Sequence, residues 1–223
     1  MTEVSPSPGW VAATGLLAPL LLGYLCGALP FGLWVGRLFR GVDVRTLGSG
    51  NLGATNVYRS LGPGLGVLTL LLDAGKGALP VWLATSLPGV SHSPGGAEIA
   101  RIVAGLAAVA GHLWTFLAGF KGGKGVATTG GVLLATSPAA FGIFAAVFVA
   151  TVALSRYISL GSILGSVAFA AALAWLSPGG IRDPRFLFGA LIALLVVARH
   201  RENIGRLMNG TERRFSFRAG GGR

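Results

Sequence analysis

Two segments hold most of the groups that could do chemistry: Gly48-Ser49-Gly50-Asn51-Leu52-Gly53-Ala54-Thr55-Asn56, followed by Arg59, and Phe120-Lys121-Gly122-Gly123-Lys124-Gly125-Val126-Ala127-Thr128. Glycines let a backbone come close to an anion, while lysines, hydroxyls and free N–H groups at helix starts supply the donors a phosphate needs. In loop one, Ser49, Asn51, Thr55 and Asn56 offer hydroxyls and amides, and Arg59 offers a planar fork that can hold a phosphate with two hydrogen bonds. An isolated loop of this kind also reads as a Gly/Asn turn; the arginine close behind shifts the balance toward anion binding. In loop two, Lys121 and Lys124 bracket two glycines at the mouth of a helix, with Thr128 one turn in. This is not a Walker A loop, because Ala118 and Gly125 stand where that pattern needs Gly and Ser or Thr.

Further polar groups sit in apolar surroundings. Asp73 and Lys76, three apart on one helical face, read first as a structural ion pair supporting loop one, since ionisable groups inside a membrane span are costly unless paired or functional. His112 reads first as a helix–helix hydrogen-bonding residue. Ser159 and Ser162, after Arg156-Tyr157, begin a helix, where a hydroxyl is also an ordinary cap. His200, Asn203 and Arg206 are spaced by three and can share a face.

The elements that must position these groups are apolar. Among 223 residues, 52% are hydrophobic and 11% charged, with a mean hydropathy of +0.71, far from the roughly 25% charge of a soluble domain. The chain is therefore an all-α integral membrane protein. Its 37 glycines follow no collagen period and suit close helix contacts in a membrane. The formal net charge of +11 comes mostly from residues flanking apolar spans, which are topology signals and no indication of nucleic acid. The one cysteine, Cys26, has no disulfide or metal-ligand companion in the chain and is a packing residue. No lysine or arginine precedes the first apolar run, so that run is expected to stay as a helix.

Apolar stretches cover about 10–36, 64–87, 99–119, 125–155, 158–178 and 185–198, read against the roughly 20 residues of a spanning helix. As one helix, 125–155 would extend about 46 Å across a ~30 Å core. Ser137-Pro138 lies near its middle, so two short helices, about 125–136 and 139–154, are expected there. Charge supports that division. With the N-terminus outside and Lys76 set aside, a hairpin places fourteen basic residues inside (Arg37, Arg40, Arg45, Arg59, Lys121, Lys124, Arg156, Arg199, Arg201, Arg206, Arg213, Arg214, Arg218, Arg223) against three outside (Arg101, Arg182, Arg185). A single span gives eight against nine, which specifies no orientation. The expected fold is thus a seven-transmembrane helix bundle, N-terminus out and C-terminus in. Trp10, Trp82 and Trp175 then fall near outer ends, and Trp34 and Trp114 near inner ends, as an aromatic belt requires. One transmembrane catalytic domain (1–212) and a basic cytoplasmic tail (213–223) lying against anionic lipids follow. Both loops, the Ser159/Ser162 turn and the His200/Asn203 segment then converge on the cytoplasmic face. His92, in a short outer loop, reads as a solvated residue.

Several enzyme classes are excluded. The residues five after His92, His112 and His200 are Ala97, Leu117 and Gly205, so no H-x4-D acyltransferase pair exists. Asp43, Asp73 and Asp183 are the only aspartates and lie far apart, which rules out the aspartate array of CDP-alcohol phosphotransferases. With so few acidic residues on the inner face, no metal site is expected. On the residues alone, a phosphate-handling enzyme and a small transporter of a phosphorylated solute both remain open, although the polar groups form no ladder across the membrane.

From about Leu25 to Glu212 the chain resembles the bacterial acyl-phosphate:glycerol-3-phosphate acyltransferases, the PlsY family. The resemblance rests on loop one with Arg59; Asp73-x-x-Lys76-Gly77; Gly111-His112; loop two; Arg156-Tyr157 with Ser159 and Ser162; and His200-Arg201-Glu202-Asn203-Ile204 with Arg206, Gly210 and Glu212. It implies a seven-span enzyme of the bacterial inner membrane, working at the cytoplasmic side without a cofactor. The implied reaction moves a fatty acyl group from acyl phosphate to the sn-1 hydroxyl of glycerol 3-phosphate, giving lysophosphatidic acid and phosphate. Membrane lipids are its surroundings, nucleic acid is no partner, and a monomer is the expected unit. The resemblance assigns function to Ser49, Arg59, Lys124, Ser162, His200 and Asn203. Asn51, Thr55, Asn56, Lys121, Thr128 and Ser159 join them as expected substrate contacts, with Asp73, Lys76, His112, Arg156, Arg206 and Glu212 in support. The acyl chain needs an apolar groove opening to lipid, placed at Gly27, Ala28 and Gly32.

Overall fold

Proline and glycine divide this apolar chain into helices. The computed structural model describes residues 9–90 and 94–216; Glu3, His92, Arg218 and Arg223 lie outside them, as does the side chain of Trp10. Helices α1 (Gly9–Gly27), α2 (Phe31–Arg40), α3 (Ala54–Leu61), α4 (Pro63–Leu83), α5 (Pro94–Leu113), α6 (Val126–Thr136), α7 (Pro138–Ser155), α8 (Ile158–Leu176), α9 (Pro184–Arg199) and α10 (Arg201–Met208) follow in order. Pro63, Pro138 and Pro184 open α4, α7 and α9, where the missing N–H costs nothing and the fixed φ suits the helix. Asp183 caps α9 by accepting the Arg185 N–H at 2.9 Å.

The expected division at Ser137-Pro138 is present: Ser137 is extended, with φ −149° and ψ 91°, between α6 and α7. The first apolar stretch, in contrast, is not one helix. Pro30 lacks an N–H and forces Leu29 out of helical geometry, so α1 and α2 are separate. The break frees carbonyls that must find donors. Thr115 Oγ1 donates to the Ala28 carbonyl, and Lys76 Nζ donates to that of Leu29 at 2.6 Å.

Five segments among the described residues are long and apolar enough to cross a membrane: Gly15–Arg40, Pro63–Ser86, Gly95–Ala118, Pro138–Ser155 and Ile158–Leu176. The outer surface of the spans is apolar, as lipid solvent requires, while the interior holds an apolar core together with paired polar groups. Asp73 and Lys76 are buried, while Leu71, Trp82, Leu154 and Trp175 are exposed.

Small residues set the helix contacts. On α1, a Cβ at Gly23 would meet the Ala104 carbonyl and one at Gly27 the Ala108 carbonyl, both on α5. Two glycines four apart thus lie on two alanines four apart. Gly77 on α4 and Gly131 on α6 similarly face the Thr128 and Ala74 carbonyls. This corrects the placing of the acyl groove: Gly27 packs on Ala108, Gly32 on the Leu52 carbonyl, and Ala28 is fully buried. These small residues serve close backbone contact. Gly27→Leu is therefore expected to pry α1 from α5 and to lower the apparent Tm by about 5 °C or more, since overpacking costs about 1–3 kcal/mol. Thermal unfolding in detergent checks this, and an unchanged Tm would contradict the packing.

Besides a small group of Ala84, Val90, Ala100 and Ala104, two larger apolar clusters result. The larger joins α4 to α9 through Val109, Leu133, Phe144, Phe169, Leu173 and Ile192. The smaller, with Leu33, Val35, Val44, Leu52, Val57 and Ala118, lies under loop one and clamps α2 and α3 together.

Candidate active site

Loop one is built around one side chain. Asn56, buried in the first turn of α3, donates through Nδ2 to the carbonyls of Val44, Leu47 and Asn51. Its Oδ1 accepts from the Ser49 N–H at 2.9 Å and from Ser49 Oγ at 3.2 Å. Asn51 Oδ1 in turn accepts the Gly53 N–H, and Thr55 is half-buried beside it. Gly48 and Gly50 have φ of 58° and 69°, a left-handed backbone that suits glycine. Asn56 therefore holds the loop in shape, while Ser49 and Arg59 stay exposed.

Loop two lies flat on the last turn of α5. A Cβ at Gly122 would strike the His112 carbonyl, and one at Gly123 the His112 ring at Nε2, with Asn51 Oδ1 at 3.4 Å from that same position. The glycines thus permit close packing, and the two loops meet at Gly123. Gly125, with φ 79°, turns the chain into α6. Lys121 is exposed and Lys124 half-buried. Thr128, fully buried, pairs its hydroxyl with His112 Nδ1 at 3.0 Å.

Lys124 points to the third segment. Its ammonium donates to Asn203 Oδ1. Asn203 Nδ2 donates to Glu212 Oε1 at 2.6 Å, Ser159 Oγ to the same oxygen at 2.7 Å, and Arg206 Nε to Oε2 at 2.8 Å. Glu212 is the hub that joins α8, α10 and the chain beyond it. Burial alone would push its carboxyl up, yet the bonds from Ser159, Arg206 and Asn203 and the Arg206 charge hold it below the ordinary carboxylate value. Burial lowers the Lys124 ammonium, aided by the charge of Arg206. Partial loss of solvent around the guanidinium likewise lowers Arg59, the Arg213 charge adding and the field of Glu212 opposing.

The closing segment crosses this site. The Arg213 carbonyl accepts from Arg59 Nη2 at 3.3 Å, the Phe215 N–H donates to the Arg156 carbonyl at 2.6 Å, and the Phe215 ring lies 5.2 Å from that of Tyr58. Arg156 itself is exposed, with a left-handed φ of 62° at the end of α7. It serves here through its backbone.

His200 caps α9 and is 2% exposed. Its Nδ1 lies 2.7 Å from the Val196 carbonyl; a carbonyl only accepts, so the neutral ring carries its proton on Nδ1 and leaves Nε2 as an acceptor. Burial pushes its pKa down to about 4, with Lys124 and Arg199 adding to the fall and the Val196 bond and Glu212 opposing it. Because the folded value lies below the ordinary 6.5, protonation favours the unfolded chain. The stabilisation is full above about pH 6.5 and is lost as pH falls toward 4. His200→Asn, which keeps a donor for Val196, is expected to flatten that part of the pH–Tm curve; an unchanged curve would contradict the assignment.

Ser162 is buried and donates back to the Ile158 carbonyl at 2.8 Å. Neither Ser49 nor Ser162 has an imidazole as hydrogen-bond partner. Asp73, Lys76 and His112 form a separate buried group, with Lys76 Nζ 2.8 Å from Asp73 Oδ1. It braces the Pro30 break and, through His112, the underside of loop two. Sequence reasoning read Arg199 only as a topology charge, yet its Nη2 donates to the Gly123 carbonyl at 3.0 Å and ties α9 to loop two. No group of three or more His, Cys, Asp or Glu side chains able to hold a metal occurs among the described residues.

Four distant parts of the chain thus place Lys124, Arg59, Asn203, Arg206 and Ser159 around one carboxylate. Comparison with known proteins supplies the family. Residues 17–210 match the family described as "Glycerol-3-phosphate acyltransferase". Relatives named glycerol-3-phosphate acyltransferase include that of Desulforudis audaxviator, 41% identical over 93% of this chain and 100% of its own length. That of Geobacter sulfurreducens is 46% identical over 87% of this chain and 94% of its own. Among solved structures, PlsY (YgiH), an integral membrane glycerol 3-phosphate acyltransferase, superposes with a TM-score of 0.79 in its glycerol 3-phosphate form, at 38% identity over 90% of this chain and 96% of that one. Its lysophosphatidic acid form gives 0.77. The chain belongs to the glycerol-3-phosphate acyltransferase family and is a membrane-embedded acyltransferase of phospholipid synthesis.

Proposed function

We propose that the protein transfers a fatty acyl group from acyl phosphate to the sn-1 hydroxyl of glycerol 3-phosphate, releasing lysophosphatidic acid and inorganic phosphate. The observation that carries this is the convergence of Lys124, Asn203, Ser159 and Arg206 on Glu212, with the field of Arg59 reaching the same carboxylate. A site with this much positive charge suits a small dianion. The glycerol 3-phosphate and lysophosphatidic acid forms of the PlsY structure support the same substrate and product.

In this reading Lys124 and Arg59 hold phosphate charge and Lys121 adds potential. Ser49, Ser162 and Asn203 fix glycerol and acyl-phosphate oxygens, with Asn51, Thr55 and Ser159 at the margins. Asn56 and Thr128 act by shaping the two loops. The glycerol hydroxyl attacks the acyl carbonyl carbon; the C–O bond to phosphate breaks, and the hydroxyl proton passes to a substrate phosphate, whose second pKa is about 6. His200, held neutral with Nε2 free to accept, orients the hydroxyl. Direct transfer is favoured over a serine acyl-enzyme because Ser49 donates to an amide oxygen and Ser162 to a backbone carbonyl, so neither has an activating base.

The bundle is read as seven spans, N-terminus out and C-terminus in, in a bacterial inner membrane, with this site cytoplasmic and the enzyme monomeric. The 11-residue α6 reaches only about 16 Å, so it needs loop two to complete its crossing. Residues 1–212 form the catalytic domain in this reading, and the basic end beyond them lies at the cytoplasmic surface. Proteoliposomes given palmitoyl phosphate and glycerol 3-phosphate test the reaction. Lysophosphatidic acid and phosphate formed one for one support it, whereas solute uptake without product would support a transporter instead.

A further inference from the structure

Between the Pro30 break, the last turn of α5 and loop two lies a cavity of about 10 Å3, lined by Leu29, Leu52, Asp73, Lys76, His112 and Gly123 among others. That is room for one water and far too little for a substrate. The His112 side chain that borders it is 5% exposed. Its Nδ1 is paired with Thr128 Oγ1 at 3.0 Å and faces Asp73 Oδ1 at 3.8 Å. A carboxylate on that side, itself paired with Lys76, keeps the imidazole proton on Nδ1. Nε2 is then a buried lone pair, and it has no hydrogen-bond partner among the described residues. The nearby Gly122 N–H is already given to the Leu113 carbonyl. A buried acceptor of this kind needs a donor, and a water also needs a second partner of its own. Asp73, which lines the same cavity, offers carboxylate oxygens as acceptors for the water's other hydrogen.

We propose that one water molecule occupies this cavity, donates to His112 Nε2 and makes His112 a positioning residue for the Lys124 loop. The loop's height depends on that ring. Gly122 and Gly123 rest directly on His112, Asn51 of loop one comes up to Gly123 near the same ring, and Arg199 holds the Gly123 carbonyl. A ring fixed by Thr128 on one nitrogen and water on the other cannot tilt, so Lys124 keeps its place one residue further on. This deepens the reading of Lys124 as a phosphate-binding group and rests on it for the kinetic part only.

The test is a water-resolving structure of the full chain, together with kinetics of His112→Phe and His112→Gln. The wild type should show a water within about 3.2 Å of Nε2. His112→Phe, which has no acceptor, should raise KM for glycerol 3-phosphate about tenfold with kcat changed less than about threefold. His112→Gln, whose side-chain oxygen can replace Nε2, should restore most of the loss. A protein donor on Nε2, or a cavity without water, overturns the site. A water in place with wild-type KM in His112→Phe overturns the positioning role. If the wild type makes no lysophosphatidic acid, the reading of the reaction fails and the density at Nε2 still decides the water site.

Discussion

Lys124→Ala is expected to lower kcat/KM for glycerol 3-phosphate by about 10²–10³-fold, equivalent to about 3–4 kcal/mol of lost transition-state stabilisation. The size follows from its surroundings. The ammonium is half-buried, so its interaction with a phosphate is less screened than at an open surface. It donates to the neutral amide of Asn203 and not to a carboxylate, which leaves its charge available to a dianion. Burial and the neighbouring Arg206 already destabilise the charged form, and an incoming phosphate would relieve that. Removing the side chain leaves Glu212 with its three donors, Ser159, Asn203 and Arg206, so the fold should persist. Steady-state kinetics with a parallel unfolding curve check this; wild-type kcat/KM would remove Lys124 from the site.

Glu212→Ala should act by the opposite route, through the fold. The carboxylate, 7% exposed, takes hydrogen bonds from Ser159, Asn203 and Arg206. Without it three donors lose their acceptor, and Arg206, Lys124 and Arg59 face one another with their shared counter-charge gone. Breaking a buried pair by deleting one partner costs about 3–5 kcal/mol, and the 41% exposure of Arg206 brings that to about 2–4 kcal/mol here. The apparent Tm should fall by about 5–10 °C, with activity lost alongside it. Glu212→Gln keeps an acceptor but no charge and should fall between. A wild-type Tm for Glu212→Ala would mean that this hub does not hold α8 and α10 together.

Sequence reading reached the spans from their apolar runs and divided α6 from α7 at Pro138; Pro63 and Pro184 stand likewise at the first turns of α4 and α9. It missed the break at Leu29-Pro30, since hydropathy runs on across it and the donors that satisfy the freed carbonyls, Thr115 and Lys76, are distant in sequence. The short helices α3 and α10 were equally hidden. Each has eight residues of mixed polarity, too few to be stable without the packing that encloses them. Site residues were legible by type but not by role. An asparagine in a glycine-rich loop can face a ligand or staple the loop, and only the bonds of Asn56 to Val44, Leu47 and Asn51 decide between them. The same holds for the glycines of loop two. Read as space for phosphate, they prove to be space for His112. Arg199 carried no signal beyond its charge, because its partner is a backbone carbonyl 76 positions away.

The most direct measurement is a crystal structure of this protein with glycerol 3-phosphate bound. The account predicts phosphate oxygens within about 3 Å of Lys124 Nζ and of the Arg59 guanidinium, with the sn-1 hydroxyl at hydrogen-bond distance from His200 Nε2. Phosphate bound elsewhere, with Lys124 still on Asn203 and Arg59 still on the Arg213 carbonyl, would contradict it.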